Sequence, residues 1–279
     1  MTAAAGVLPP LAAAASHDGT GSGALGVAFA AGMLNTTGPA YDVTAPRVAG
    51  DAAFGDAATN AAMLLADARL PSGGHAYSAG VEPALRSGLA PEEIGEYMLG
   101  RARTVVRVEA GTAVVARHAL LDDADSHAGL DAVLAAWAAR TPSPALREAS
   151  AAQARGLLRL AGSLWPGPVW PVLAEQARPL CRAVVIGAIA AASEMSAVEL
   201  VRTVIYDDAA TAAAALLKLD PCDPAQVSRW VLDACAAAEP FVVELAALIE
   251  PAAIPAAGAP QTEEWAQAHA LLTQRLFRA

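Results

Sequence analysis

Apolar residues recur along most of this chain at intervals of three and four, the spacing that lines one face of a helix. The pattern sets in near Asn60, where "NAAMLLADARL" reads as a helix running into a glycine-rich joint. Pro91 fits a first helical position. Ile94, Tyr97, Met98, Val105 and Val108 follow at near-helical spacing, with Gly100 and Gly111 either weakening that helix or letting a neighbour approach closely. Further helices are expected over about 129–140, 144–164 and 171–194, the second opened by Ser143-Pro144. Ser196 and Glu199 have capping-box spacing ahead of "LVRTVIYDDAATAAAALLKL". Asp223-Pro224-Ala225-Gln226 offers the next start, Pro240 another, and Thr262 is expected to cap the last helix. No alternation of strands and helices is visible. The pattern predicts an all-α fold: a single domain of about eight to ten helices over residues 59–279, preceded by a flexible Ala/Gly-rich extension over residues 1–58.

Composition strengthens the helical reading. Hydrophobic residues make up 55% of the 279, much of it alanine, and aromatics only 5%. Alanine loses no side-chain entropy in a helix. The net charge of −10 leaves no basic footprint to neutralise phosphates, so nucleic acid is not an expected partner. Cys181, Cys222 and Cys235 are odd in number and widely spaced, which suits free thiols in a reducing compartment. The first basic residue is Arg47, so the N-terminus lacks the positive start of a secretory signal. Residues 19–41 are uncharged but glycine-rich, and Ala183–Ser193 is too short to span a bilayer. A cytoplasmic protein without a membrane segment is expected.

Catalytic signatures are sparse. Gly21-Ser22-Gly23-Ala24-Leu25-Gly26 matches a dinucleotide fingerprint in letters only, because no strand precedes it. Lys218 is the single lysine and follows Leu217, so no P-loop can be written. There is no G-x-S-x-G elbow and no His-x-x-x-His pair. Asp122, Asp123 and Asp125 beside His127 could hold a metal in a helical hydrolase, or form a solvated loop between helices. Asp207-Asp208 reads as a polar face or helix end. No catalytic, cofactor or metal residue is assigned, and a non-enzyme is expected.

The stretch "RLPSGGHAYSAGVE", Arg69–Glu82, concentrates unusual residues between two helical segments. Pro71 disfavours continued helix at Leu70. Gly73 and Gly74 admit backbone angles closed to other residues. Ser78 and Gly80 are small. His75, Tyr77 and Glu82 exceed what a plain turn needs, so the segment reads as a packing joint or as a recognition element.

"LLADARLPSGGHAYSAGVEPALRSGL", Leu64–Leu89, resembles the urease accessory protein family UreF, whose segment runs approximately L-x-D-S-x-L-P-x-G-G-[YFH]-x-[HWF]-S-x-G-L-E. "HALLTQRLFRA", His269–Ala279, is similar to the family's ending, H-E-x-x-x-x-R-L-F-x-S. The residues between follow the family's helical order. Ala68, Val81, Ala279, Asp207-Asp208 and Asp220-Pro221-Cys222 depart from its usual residues, which marks a divergent member. The resemblance implies an all-α, homodimeric adaptor with no catalytic site. It would bind UreD (also called UreH), recruit the GTPase UreG and serve nickel insertion into the urease apoprotein, with nickel handled by the assembly and no resident cofactor. It also implies partner contacts by Pro71, Gly73, Gly74, His75, Tyr77, Ser78, Gly80 and Glu82, and by the tail Arg275, Leu276, Phe277 and Arg278. Glu82 could pair with an Arg or helix-start amides of a partner, or orient the joint internally. The tail is expected to remain free for UreD. A generic helical interaction module is the remaining alternative.

Overall fold

The computed structural model describes residues 57–122 and 126–277. Residues 1–56 of the N-terminal extension, with the Gly21–Gly26 motif, and Arg278 lie outside the described residues. The last two positions of the extension, Ala57 and Ala58, already belong to the first helix. Helices α1 (Ala57–Ala66), α2 (Val81–Arg86), α3 (Ile94–Arg103), α4 (Val105–Leu121), α5 (Ser126–Arg140) and α6 (Pro144–Leu164) form the first half. Helices α7 (Val169–Ala174), α8 (Arg182–Ala192), α9 (Ala197–Leu219), α10 (Pro224–Ala238), α11 (Val242–Ala246) and α12 (Pro260–Ala270) form the second. Nine of these run ten residues or more, in keeping with the expected eight to ten, and no strand occurs among the described residues. None of the described helices is long and apolar enough to cross a membrane.

Helix α8 is the axis of the bundle. Every residue from Ala183 to Ala191 is buried, so this helix is apolar on all sides, as a central helix must be. Helices α4 and α6 pack against it, and α4 also packs against α5 and α9. The α4–α8 contact is close because position 187 has no side chain: a Cβ on Gly187 would lie 2.4 Å from the Ala113 carbonyl oxygen. Gly111 likewise admits a neighbour, since a Cβ there would come within 3.0 Å of Pro255. Alanines fill the remaining space, and their small volume lets the helices approach.

Most predicted helix starts hold. The Ser196 hydroxyl accepts a hydrogen bond from the Glu199 amide at 3.2 Å, and the Glu199 carboxylate accepts one from the Ser196 amide at 3.0 Å. Asp223 accepts from the Ala225 amide and Ser143 from the Leu146 amide. Each such cap is worth about 1 kcal/mol. Three expectations differ. The helix read from Pro91 onward breaks at Thr104, whose backbone (φ −124°, ψ −99°) is not helical, so α3 and α4 are separate. The segment 171–194 divides into α7 and α8, with Pro179 in the non-helical connection between them. Pro260, not Thr262, opens α12, and Thr262 is buried inside it. All three cysteines are free thiols, Cys181 fully buried.

Candidate functional site

The Arg69–Glu82 stretch folds into a compact joint between α1 and α2. Asp67 turns the chain by accepting from the Arg69 amide and guanidinium. The Ser72 carbonyl then lies directly against α6, where a Cβ on Gly156 would come within 1.9 Å of it. Gly73 takes φ +88° and starts a 3-10 turn over Gly74–Ala76 that holds the exposed His75 outward. Tyr77 is half-buried; burial raises its phenol pKa to about 12. Ser78 and Ala79 are fully buried. The Ser78 hydroxyl accepts from the Glu82 amide at 3.3 Å. Gly80 sits at φ +79°, and a Cβ there would be 2.3 Å from the Tyr97 hydroxyl, which donates to the Ala79 carbonyl at 2.9 Å.

Glu82 connects this joint to the C-terminus. Its side chain is 1% exposed. Its carboxylate accepts from the Leu276 amide at 3.0 Å and from the Phe277 amide at 2.7 Å, while Arg86 donates to it at 3.0 Å. The His269 Nε2 lies 3.2 Å from the same carboxylate without the alignment of a hydrogen bond. The two segments that carry the family resemblance, 194 residues apart at the Glu82–Leu276 bond, therefore meet at one buried carboxylate. The Phe277 ring is 3% exposed, with the Lys218 ammonium 5.6 Å from its centre. The expectation of a tail left free for a partner is corrected here. A buried carboxylate needs donors, and two adjacent tail amides supply them. Arg275 and Leu276 remain exposed.

This latch is expected to weaken in acid. Burial alone would raise the Glu82 pKa, but the amides of Leu276 and Phe277, with Arg86 and His269, outweigh it and hold the pKa below its ordinary value. Burial holds the His269 imidazole low despite the opposing pull of Glu82. Both groups therefore bind protons more readily in the unfolded chain. Their stabilisation is complete above the ordinary values, about 6.5 for His and 4.3 for Glu, and is lost as pH falls through the folded ones. Hydrogen exchange at the Leu276 and Phe277 amides, corrected for intrinsic rates, should lose protection on acidification. The loss should be smaller in Glu82→Gln; equal pH dependence in both proteins would remove Glu82 from the explanation.

A second buried polar cluster lies beside Tyr77. Arg101 on α3 pairs with Asp208 on α9 at 2.5 Å, and Arg182 on α8 pairs with Asp207 at 2.7 Å. Glu109 on α4 accepts from the Trp137 indole at 2.8 Å. Burial raises the pKa of both Glu109 and Asp207. Two small cavities of about 80 Å³ each flank the cluster, and Tyr77, Gln153, Arg182 and Asp208 line both. Asp207-Asp208 is thus an internal charge pair of α9 and not a helix end.

Sequence reading missed Arg101, Glu109 and Arg182. The signal was present: Arg101 follows Ile94 and Met98 on the apolar stripe of α3, where a solvated charge has no reason to be. Of the candidate metal cluster, Asp123 and Asp125 lie outside the described residues, and His127 approaches Glu175 at 3.4 Å on the surface. Among the described residues no three His, Cys, Asp or Glu side chains assemble a metal-binding set.

Comparison with known proteins places this chain in a family. The UreF family model matches residues 90–235. A urease accessory protein UreF from Mycolicibacterium vanbaalenii is 41% identical over 194 residues, covering 68% of this chain and 88% of that protein. One from Mycobacterium sp. (strain JLS) is 39% identical over 181 residues, covering 62% of this chain and 80% of its own length. One from Mycobacterium tuberculosis is 34% identical over 178 residues, with the same shares.

Proposed function

The chain belongs to the UreF family of urease accessory proteins, and we propose that it acts as a non-catalytic adaptor in urease maturation. It works in the cytosol as a homodimer, binds UreD, and with it recruits the GTPase UreG. The assembly inserts nickel into apo-urease, nickel being cargo of the complex and not a resident group of this chain. One observation carries the reading: the Arg69–Glu82 joint and the C-terminal tail, whose motifs resemble those of the family, form one built structure around Glu82. Such a joint presents His75, Arg275 and Leu276 at the surface from a rigid base. Exposed groups on a fixed scaffold suit partner recognition, because little entropy is lost on docking.

Co-expression with tagged UreD and UreG of the same source tests this. The expected result is a stable complex containing all three chains. Recovery of neither partner, with both shown to be folded, would reject the adaptor role.

A further inference from the structure

A large concave surface lies beside the tail. It is a groove of about 970 Å³ along one face of α6. Ala145, Ala149 and Ala152 form its floor, and Leu134 and Leu180 stand on its walls. The tail residues Leu276 and Phe277 close one side, and Ala76 of the joint contributes to its edge. A smaller hollow of about 270 Å³ shares Ala149, Ala152 and Arg155 with it and reaches Arg159.

Its charge is opposite to that of the protein. The chain carries 28 acidic and 18 basic residues. Around this groove, however, stand Arg147, Arg155, Arg178 and Arg275, against Glu148 as the one carboxylate among the lining residues. Arg159 extends the row. Arg178 is paired with Asp131. Arg147 donates to the Thr141 and Pro142 carbonyls and lies near enough to Glu263 to oppose the rise that burial gives the pKa of its carboxyl. Arg155 and Arg159 are exposed, and neither makes an ion pair among the described residues. An apolar floor of small side chains admits a helix close to the backbone of α6. A cationic rim selects an occupant with carboxylates flanking its apolar face.

We propose that this groove is the docking site for an acidic amphipathic helix of a partner protein. The proposal rests on the adaptor reading and specifies the surface through which the adaptor engages one of its accessory partners. The partner's Leu-like side chains lie on the alanine floor, and its Asp or Glu side chains meet Arg155, Arg159 and Arg275. Guanidinium–carboxylate pairs at a rim contribute chiefly orientation and rate of encounter, so binding weakens with added salt.

The test uses the full chain and two variants, Arg155→Glu/Arg159→Glu and Ala152→Trp. The first reverses the rim charge at exposed positions. The second fills the floor without changing charge. Affinity for purified UreD and for purified UreG is measured at low and high salt, with melting temperature and mass by light scattering as controls. Both variants are expected to bind one and the same partner at least tenfold more weakly, a loss of about 1.4 kcal/mol. The charge reversal should also flatten the salt dependence, with melting unchanged. If the natural chain binds its partners and both variants bind them equally well, the groove is not the docking site. If the variants instead shift the mass from dimer to monomer, a second copy of this chain is the occupant and the proposal is overturned. Relief of the defect by deleting residues 1–56 would assign the groove to that segment and also overturn it. Failure of the natural chain to bind either partner overturns the adaptor reading itself. Should Ala152→Trp unfold, the charge reversal decides alone.

Discussion

Exchange of Arg101 for methionine is expected to cost about 3–5 kcal/mol of folding stability, read as a lower urea midpoint. The Arg101 side chain is 6% exposed and that of Asp208 16%. Removing the cation leaves the Asp208 carboxylate inside the bundle beside Asp207 and Glu109, two further carboxyl groups whose pKa burial already raises. The methionine keeps most of the apolar stem and volume, so the loss measured is chiefly the stranded charge. Arg101→Met/Asp208→Leu supplies the control. Replacing both members of a buried pair by apolar groups of similar size is often neutral, so the double variant should recover most of the loss. A single-variant loss under about 1 kcal/mol would mean that the pair behaves as a solvated surface bridge.

Deletion of residues 270–279 is expected to destabilise the domain by about 3 kcal/mol or more and to abolish partner binding with it. The deletion exposes the site that Phe277 fills; full burial of such a ring is worth about 1.5–3 kcal/mol. It also removes two amide donors from the Glu82 carboxylate and leaves that charge buried with Arg86 and His269. An unsatisfied buried group adds about 1–3 kcal/mol, more when charged. Glu82→Leu separates the two effects. In that background the same deletion should cost less, because no carboxylate is stranded. Equal costs in both backgrounds would show that the amide contacts contribute nothing. A truncated chain as stable as the full one would mean that the tail is not held by Glu82 at all.

The helices were legible because their determinants are local. The Ser196–Glu199 box, the Asp223 cap and Ser143-Pro144 are read from neighbouring residues and act on neighbouring residues. Misreadings fell at helix boundaries. Thr104 breaks a continuous apolar pattern, which periodicity alone could not show. Thr262 has the side chain of a cap, yet it lies buried within α12, whose start Pro260 sets. The joint was recognised as special from Pro71, Gly73, Gly74 and Gly80 because rare backbone angles require rare residues.

What the sequence determined by itself was the class of fold, the position of the joint and the family, all of which follow from short-range spacing and from letters that match at the joint and the tail. What the tertiary structure decided was the purpose of individual charges. Glu82 had two open readings, a partner's cation or an internal anchor; only the return of a segment 194 residues away to bring the Leu276 and Phe277 amides to its carboxylate chose between them. Asp207 and Asp208 looked like solvated residues until α3 and α8 brought Arg101 and Arg182 against them. The physical reason is the same in both cases. A helix is stabilised by contacts three and four residues apart, whereas a buried charge is tolerated only where partners distant in the chain converge on it, and that convergence exists only in three dimensions.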